Sequence, residues 1–231
     1  MATTQQINNH DAIINRQVAD FGRGLSPLLT DLYDELAGLP NPTRLDVQRL
    51  FEPVRRYAQA QITEIDGVFA DNDEINNEVL GPVVVDTSQL RAEAAASLSS
   101  AVEAEQNNIM SVIATSALVG GATVATIRAL RKSKNAIINR LKIALGTNIR
   151  SVDNAYTLLK SRASGADPKY RYVGGIIKES RPFCRSHDGD VMTESEIRRI
   201  WNNQTWQGKK PGDPFVVRGG YNCRHMFVPV K

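Results

Sequence analysis

The chain has 231 residues, of which 42% are hydrophobic and only 6% aromatic, enough for one large domain or two small ones with a real core. Its two cysteines are too few for the disulfide framework of a small secreted module and fit a reducing compartment. The net charge of +3 hides a split: residues 1–105 hold 7 Arg, no Lys and 17 acids, whereas residues 106–231 hold 21 basic side chains and 8 acids.

The first dozen residues are polar and lack the apolar core of a signal peptide. Ile14, Val18, Phe21, Leu25, Leu28, Leu32 and Leu36 then recur at helical spacing, interrupted by Gly22, Gly24 and Pro27. Ser26 followed by Pro27 reads as an N-cap and a first-turn proline, so two helices are expected, the second ending at Gly38. After the linker 39–42, Thr43 opens a third helix burying Leu45, Leu50, Phe51, Val54 and Tyr57, with a kink at Pro53 and fading near residues 67–73. Gly81 and Pro82 mark a break, and Val83 to Val85 read as a short strand or an extended connector.

Residues 87–119 are Ala-rich and strongly helix-forming. Gly120 and Gly121 suggest a hairpin into a helix running to about Leu145. Residues 106–127 carry no charge, but their Thr, Ser, Asn and Gln favour a buried helical hairpin over a membrane span. Gly146 and Thr147 start a last helix, closed by the turn 164–168. Residues 170–176 alternate as a strand, and Thr193 with Glu196 forms a capping box before a helix burying Ile197, Ile200 and Trp201. Residues 215–217 and 226–230 are further strand candidates. The fold class is therefore α+β: a mainly helical N-terminal half and a small α+β C-terminal domain. The expected parts are a helical arm (1–42), a helical region with a long hairpin (43–165) and the C-terminal domain (170–231).

Residues 106–152 contain no acid but carry Arg128, Arg131, Lys132, Lys134, Arg140, Lys142 and Arg150. Such a run points to a polyanionic partner, to pairing between neighbouring copies, or to a solvated helix face. Arg181, Arg218, Tyr221 and Arg224 interleave guanidinium groups with an aromatic ring near the C-terminus, a composition suited to nucleic acid or to a protein interface.

Cys184, His187, Cys223 and His225 supply two thiols and two imidazoles, the ligand set of a structural zinc. Their spacing is not a common finger pattern, so the leading expectation is no cofactor, with small buried thiols and turn-closing His and Asn side chains. Zinc and a disulfide joining the two cysteines are the alternatives. His187 with Asp188, or Cys184 with His225, also satisfy the composition of an acid–base or nucleophile–base pair, without a spacing that specifies either.

Four runs carry a resemblance: Arg150-Ser-Val-Asp153-Asn154-Ala-Tyr156, Lys169-Tyr-Arg-Tyr-Val-Gly174, Arg181-Pro-Phe-Cys184-Arg-Ser-His187-Asp-Gly189 and Gly219-Gly-Tyr-Asn-Cys223-Arg-His225-Met-Phe-Val-Pro-Val230. Together they resemble the C-terminal domain of phage Mu F-like minor head (head morphogenesis) proteins, over roughly residues 147–231. Arg181 stands where many members have a first Cys, Gly220 and Tyr221 replace a His-Pro, and His225 replaces a last Cys. The resemblance implies a structural, non-enzymatic virion protein near the portal vertex, acting in head assembly or packaging and made in the host cytoplasm. Its implied partners are the portal or other head proteins in several copies per particle, and packaged DNA; a membrane is not expected as a partner, given the polar residues of 106–127. The competing readings are an internal DNA-contacting protein ejected with the genome, and a nuclease or toxin-like enzyme at the Cys/His clusters.

Overall fold

The structure, a computed structural model, describes residues 4–118 and 123–230. It is α+β: mainly helical, with a small antiparallel sheet near the C-terminus. Its elements are α1 (Thr4–Gly38), α2 (Arg44–Leu50), α3 (Glu52–Thr63), α4 (Ile65–Leu80), α5 (Ser88–Leu118), α6 (Thr123–Lys132), α7 (Lys134–Ser164), β1 (Lys169–Val173), α8 (Pro182–His187), β2 (Val191–Met192), α9 (Glu194–Asn203), α10 (Pro214–Val217) and β3 (Met226–Val230). The described residues form two compact units, one of residues 4–16, 64–94 and 146–230, the other of 17–63, 95–118 and 123–145. Helices α1, α5 and α7 each contribute a segment to both. The expected boundaries at 42 and 165 are thus not those of the compact units.

In the second unit α1 runs unbroken through Pro27, correcting the expected pair of helices. A proline inside a helix costs about 3 kcal/mol. Burial of Phe21, Leu25, Leu29, Leu32 and Leu36 on both sides, at about 1.5–3 kcal/mol for each large apolar side chain, outweighs it. Gly24 is there for close approach: a Cβ would fall 2.0 Å from the Tyr57 hydroxyl. Thr43 caps α2 in a reciprocal box with Asp46. The chain then restarts as α3 beyond Phe51, so Pro53 sits in a first turn, and Leu45 lies 74% exposed instead of buried. The charge split is answered in part inside the chain, with Arg131 paired to Asp34 at 2.7 Å and Arg140 gripping Glu105 through two bonds of 2.6 and 2.7 Å. Ser116 of α5 meets Thr126 of α6 at 2.5 Å, while Leu118 is 87% exposed and Val112 and Val124 are also exposed. The expected hairpin at Gly120 and Gly121 lies outside the described residues. Among the described residues no helix is long and apolar enough to cross a membrane.

In the first unit α4 continues through the expected fading point at 67–73, because Val68, Phe69, Asn72, Ile75 and Asn76 are all buried there. It ends at Gly81, and Val83 to Val85 form an extended connector without strand pairing. Helix α7 does not restart at Gly146; the break comes earlier, at Ser133. The sheet order is β2-β1-β3, with Tyr170 opposite Met192 on one side and Pro229 on the other. Strand β2 had no sequence signal beyond two residues. Residues 215–217 are helical, not extended, because Asp213 caps the turn and Pro214 occupies its first position.

The polar face of α7 is buried here, and most of its polar groups are paired. Arg150 pairs with Asp11 at 2.5 Å, and Tyr156 and Lys160 both donate to Asp73. Asn154 accepts the outward N–H of Phe227 at 2.7 Å, satisfying a donor that an edge strand would otherwise bury unpaired. Ser161 accepts from the Tyr170 hydroxyl at 2.7 Å, and Leu158 belongs to the same apolar core as the sheet. The C-terminal core is therefore not confined to residues 170–231. Limited proteolysis at residues 165–167 is expected to leave the two pieces associated on a sizing column, with residues 168–231 alone failing to fold. Release of a folded C-terminal fragment would contradict this.

Candidate metal centre

Three short-range features aim the site. Pro182 begins α8, so Phe183 and Cys184 enter the core in its first turn. The turn after α8 is stitched to β1 by Gly189 N donating to Tyr172 O at 2.7 Å and Tyr172 N to Asp190 O at 2.9 Å. The loop leading into β3 is held by Cys223 N donating to Gly220 O at 3.0 Å and Asn222 N to Thr147 Oγ1 of α7 at 3.1 Å. These ties bring the two Cys-containing turns, 39 residues apart, together under Tyr172.

Cys184 Sγ and Cys223 Sγ lie 3.7 Å apart, both buried and both free thiols, so there is no disulfide. His225 Nδ1 is 3.9 Å from Cys223 Sγ, and its Nε2 is 3.1 Å from Asp188 Oδ1. The Tyr172 ring stacks on the His225 ring with centroids 4.6 Å apart, and its hydroxyl sits 3.3 and 3.7 Å from the two sulfurs. Gly219 closes the other side: a Cβ there would fall 2.5 Å from Cys184 Sγ. The donor atoms of Cys184, Cys223 and His225 lie within 4.8 Å of one another, a group that could hold a metal ion.

His187 does not join them. Its Nδ1 contacts Asp190 at 2.9 Å and its Nε2 contacts Gln204 at 3.0 Å, which removes it from the expected ligand set. Asp188, expected beside His187 as a candidate acid–base pair, stands beside His225 instead.

The two thiols share one hydrogen bond and separate electrostatically. The bond from Cys184 holds Cys223 well below the usual thiol range, against the opposing effect of burial, with help from His225 and the Arg218 charge. The same bond, together with burial, pushes Cys184 up. Burial also raises Tyr172 well above its ordinary value, leaving it a neutral donor. Such a pair can act as a soft ligand set or as a thiol–thiolate couple. A cavity of about 30 Å³ lined by Cys223, His225, Arg181 and Arg224 adjoins it, room for a water and not for an organic substrate.

The expected partner-binding cations divide. Arg218 is fully buried, donating to Ser151 Oγ at 3.0 Å, and so cannot serve an outer surface. Arg150 is buried against Asp11, while Lys134 bonds Ser26 and Thr30 and the stem of Lys142 packs over Gly22. Arg128 and Lys132 are exposed on α6. At the rim of the Cys/His cluster, Arg181 donates to Tyr221 O at 3.4 Å, Tyr221 is 50% exposed and Arg224 faces solvent.

No protein family, curated protein or solved structure matches the chain.

Proposed function

We propose that the chain is a structural minor head protein of a tailed-phage virion, acting in head assembly or genome packaging near the portal vertex. The observation that carries this reading is convergence: the four runs that resemble the Mu F-like domain, spread over some eighty residues, meet in one buried core. The polar α7 segment is joined to β3, to the aromatic strand β1 and to the loop at Cys223 by the Asn154–Phe227, Ser161–Tyr170 and Thr147–Asn222 bonds, and the turn at Cys184 is joined to β1 by the Gly189–Tyr172 bond. A buried sulfur–imidazole cluster beside a water-sized cavity suits fastening better than turnover. The DNA-contacting reading is weakened by how many cations of the basic run are engaged internally, Arg131, Lys134, Arg140 and Arg150 among them.

The test is mass spectrometry of purified particles made by the genome that encodes the chain. The chain is expected at several copies per particle, co-purifying with the portal when the two are co-expressed. Reversal of the exposed Arg128 and Lys132 to Glu is expected to leave incorporation unchanged. Absence from heads overturns the proposal, and salt-sensitive DNA binding lost on that reversal favours the DNA-contacting alternative.

A further inference from the structure

We infer that Cys184 Sγ, Cys223 Sγ and His225 Nδ1 hold one zinc ion, with Asp188 as the group that orients His225. A tetrahedral zinc with bonds of about 2.3 Å to sulfur and about 2.0–2.1 Å to nitrogen places its sulfurs about 3.8 Å apart and each sulfur about 3.5 Å from the nitrogen. The sulfurs here are 3.7 Å apart and the Cys223 sulfur is 3.9 Å from the imidazole nitrogen. All three donor atoms lie within 4.8 Å of one another, so closing the set on an ion takes a side-chain rotation of the imidazole or of Cys184 toward the common centre.

The second, independent observation is Asp188. A histidine that ligates a metal through one nitrogen characteristically donates its other N–H to a carboxylate or carbonyl, which fixes the tautomer. Asp188 Oδ1 stands 3.1 Å from Nε2, an ion-pair contact without hydrogen-bond alignment; a small turn of the carboxylate would let it accept the Nε2 proton and leave the Nδ1 lone pair facing the sulfurs. The ring cannot turn away, because it is stacked on Tyr172. The Tyr172 hydroxyl, within reach of both sulfurs, supplies the outer hydrogen bond that thiolate ligands take. Gly219 leaves the sulfurs uncrowded on the side where any side chain would strike Cys184.

Charge and space agree with this. Two thiolates neutralise the ion, so the filled site carries no net charge in a core that already buries Arg218. The adjoining cavity of about 30 Å³ has room for the one water that a fourth coordination position needs. His187, committed to Asp190 and Gln204, is outside the set. Two sulfurs and an imidazole in a tetrahedral arrangement select zinc over the harder oxygen-seeking cations. The inference stands on these side chains alone and does not rest on the head-protein reading.

The test uses the full chain purified under thiol reductant from zinc-supplemented cells, followed by elemental analysis and by cobalt(II) substitution of the chelator-stripped protein. About one zinc per chain is expected, and cobalt should give the intense visible bands of a tetrahedral site with a near-ultraviolet thiolate charge-transfer band. Asp188→Ala should weaken zinc binding about 10–100-fold, and His187→Ala should leave it unchanged. His225→Ala should abolish stoichiometric binding. His225→Cys should restore it with altered cobalt bands, which keeps the ligand assignment testable if the alanine variant does not fold. Folded wild-type protein that stays far below stoichiometric zinc after exposure to the metal overturns the inference. So does a cobalt spectrum without the thiolate band, or equal zinc loss in His187→Ala and His225→Ala.

Discussion

Tyr172→Ala is expected to destabilise the C-terminal core by about 3–5 kcal/mol, the range for removing a buried aromatic ring from a packed site. Tyr172 is completely buried on the central strand and touches the rings of Phe183, His225 and Phe227 with centroids 5.2, 4.6 and 4.6 Å away. Its loss leaves a cavity bounded by three rings that are themselves pinned by the sheet and by α8, so little of the volume can collapse. Tyr172→Phe keeps those contacts and removes only the hydroxyl between the sulfurs, at about 1 kcal/mol. Both tryptophans of the chain, Trp201 and Trp206, pack on this core, so intrinsic fluorescence in a urea titration reads its unfolding directly. Equal losses for the two variants would show that the hydroxyl, and not the ring, holds the centre together.

What was legible in the sequence is what is decided locally. The boxes at Thr43 with Asp46 and Thr193 with Glu196 need only four consecutive residues, and both cap helices as read. The strands around Tyr170 and Val228 were legible from alternation and β-branched content. Breakers misled wherever tertiary burial outweighed them: Pro27 and Gly146 lie inside continuous helices lined by buried Leu25, Leu29, Leu145 and Ile149. The polar core was hidden for a different reason. Arg150, Asp153 and Asn154 look like a solvated helix face until their partners arrive from Asp11, His10 and Phe227, up to 143 residues away. Of the Cys/His set, three members converge as their composition suggested. Spacing alone could not show that His187, one turn beyond Cys184, would be taken by Asp190 and Gln204. Nor could it show that Asp188 would stand behind His225.

The stability of the unit that contains His10 is expected to fall as pH rises from about 6.5 to about 9. His10 of α1 is buried between Asp71 of α4, which contacts its Nδ1, and Asp153 of α7, whose Oδ2 is 3.1 Å from Nε2. Asp153 is itself held by Asn72 Nδ2 at 2.7 Å, and Asn72 also donates to Thr157 Oγ1 at 2.9 Å. Burial pulls the imidazole toward its neutral form, but the Asp153 and Asp71 carboxylates outweigh burial and hold its pKa up to about 9, against 6.5 ordinarily. A group whose pKa is higher folded than unfolded binds its proton more tightly in the folded state. Its stabilisation is therefore complete below the unfolded value and is lost as pH rises through the folded one. A gap of that size corresponds to about 3 kcal/mol. The pH dependence of the thiols overlaps this window, so the measurement is the difference between the wild type and His10→Gln, which cannot titrate there. From urea titrations followed by tryptophan fluorescence, the stability advantage of the wild type should shrink by about 3 kcal/mol between pH 6 and pH 9.5. An advantage that does not change with pH would mean that His10 sits neutral between its two carboxylates. The part of His10 in linking α1 to α4 and α7 would then rest on hydrogen bonding alone, beside the Arg150–Asp11 ion pair.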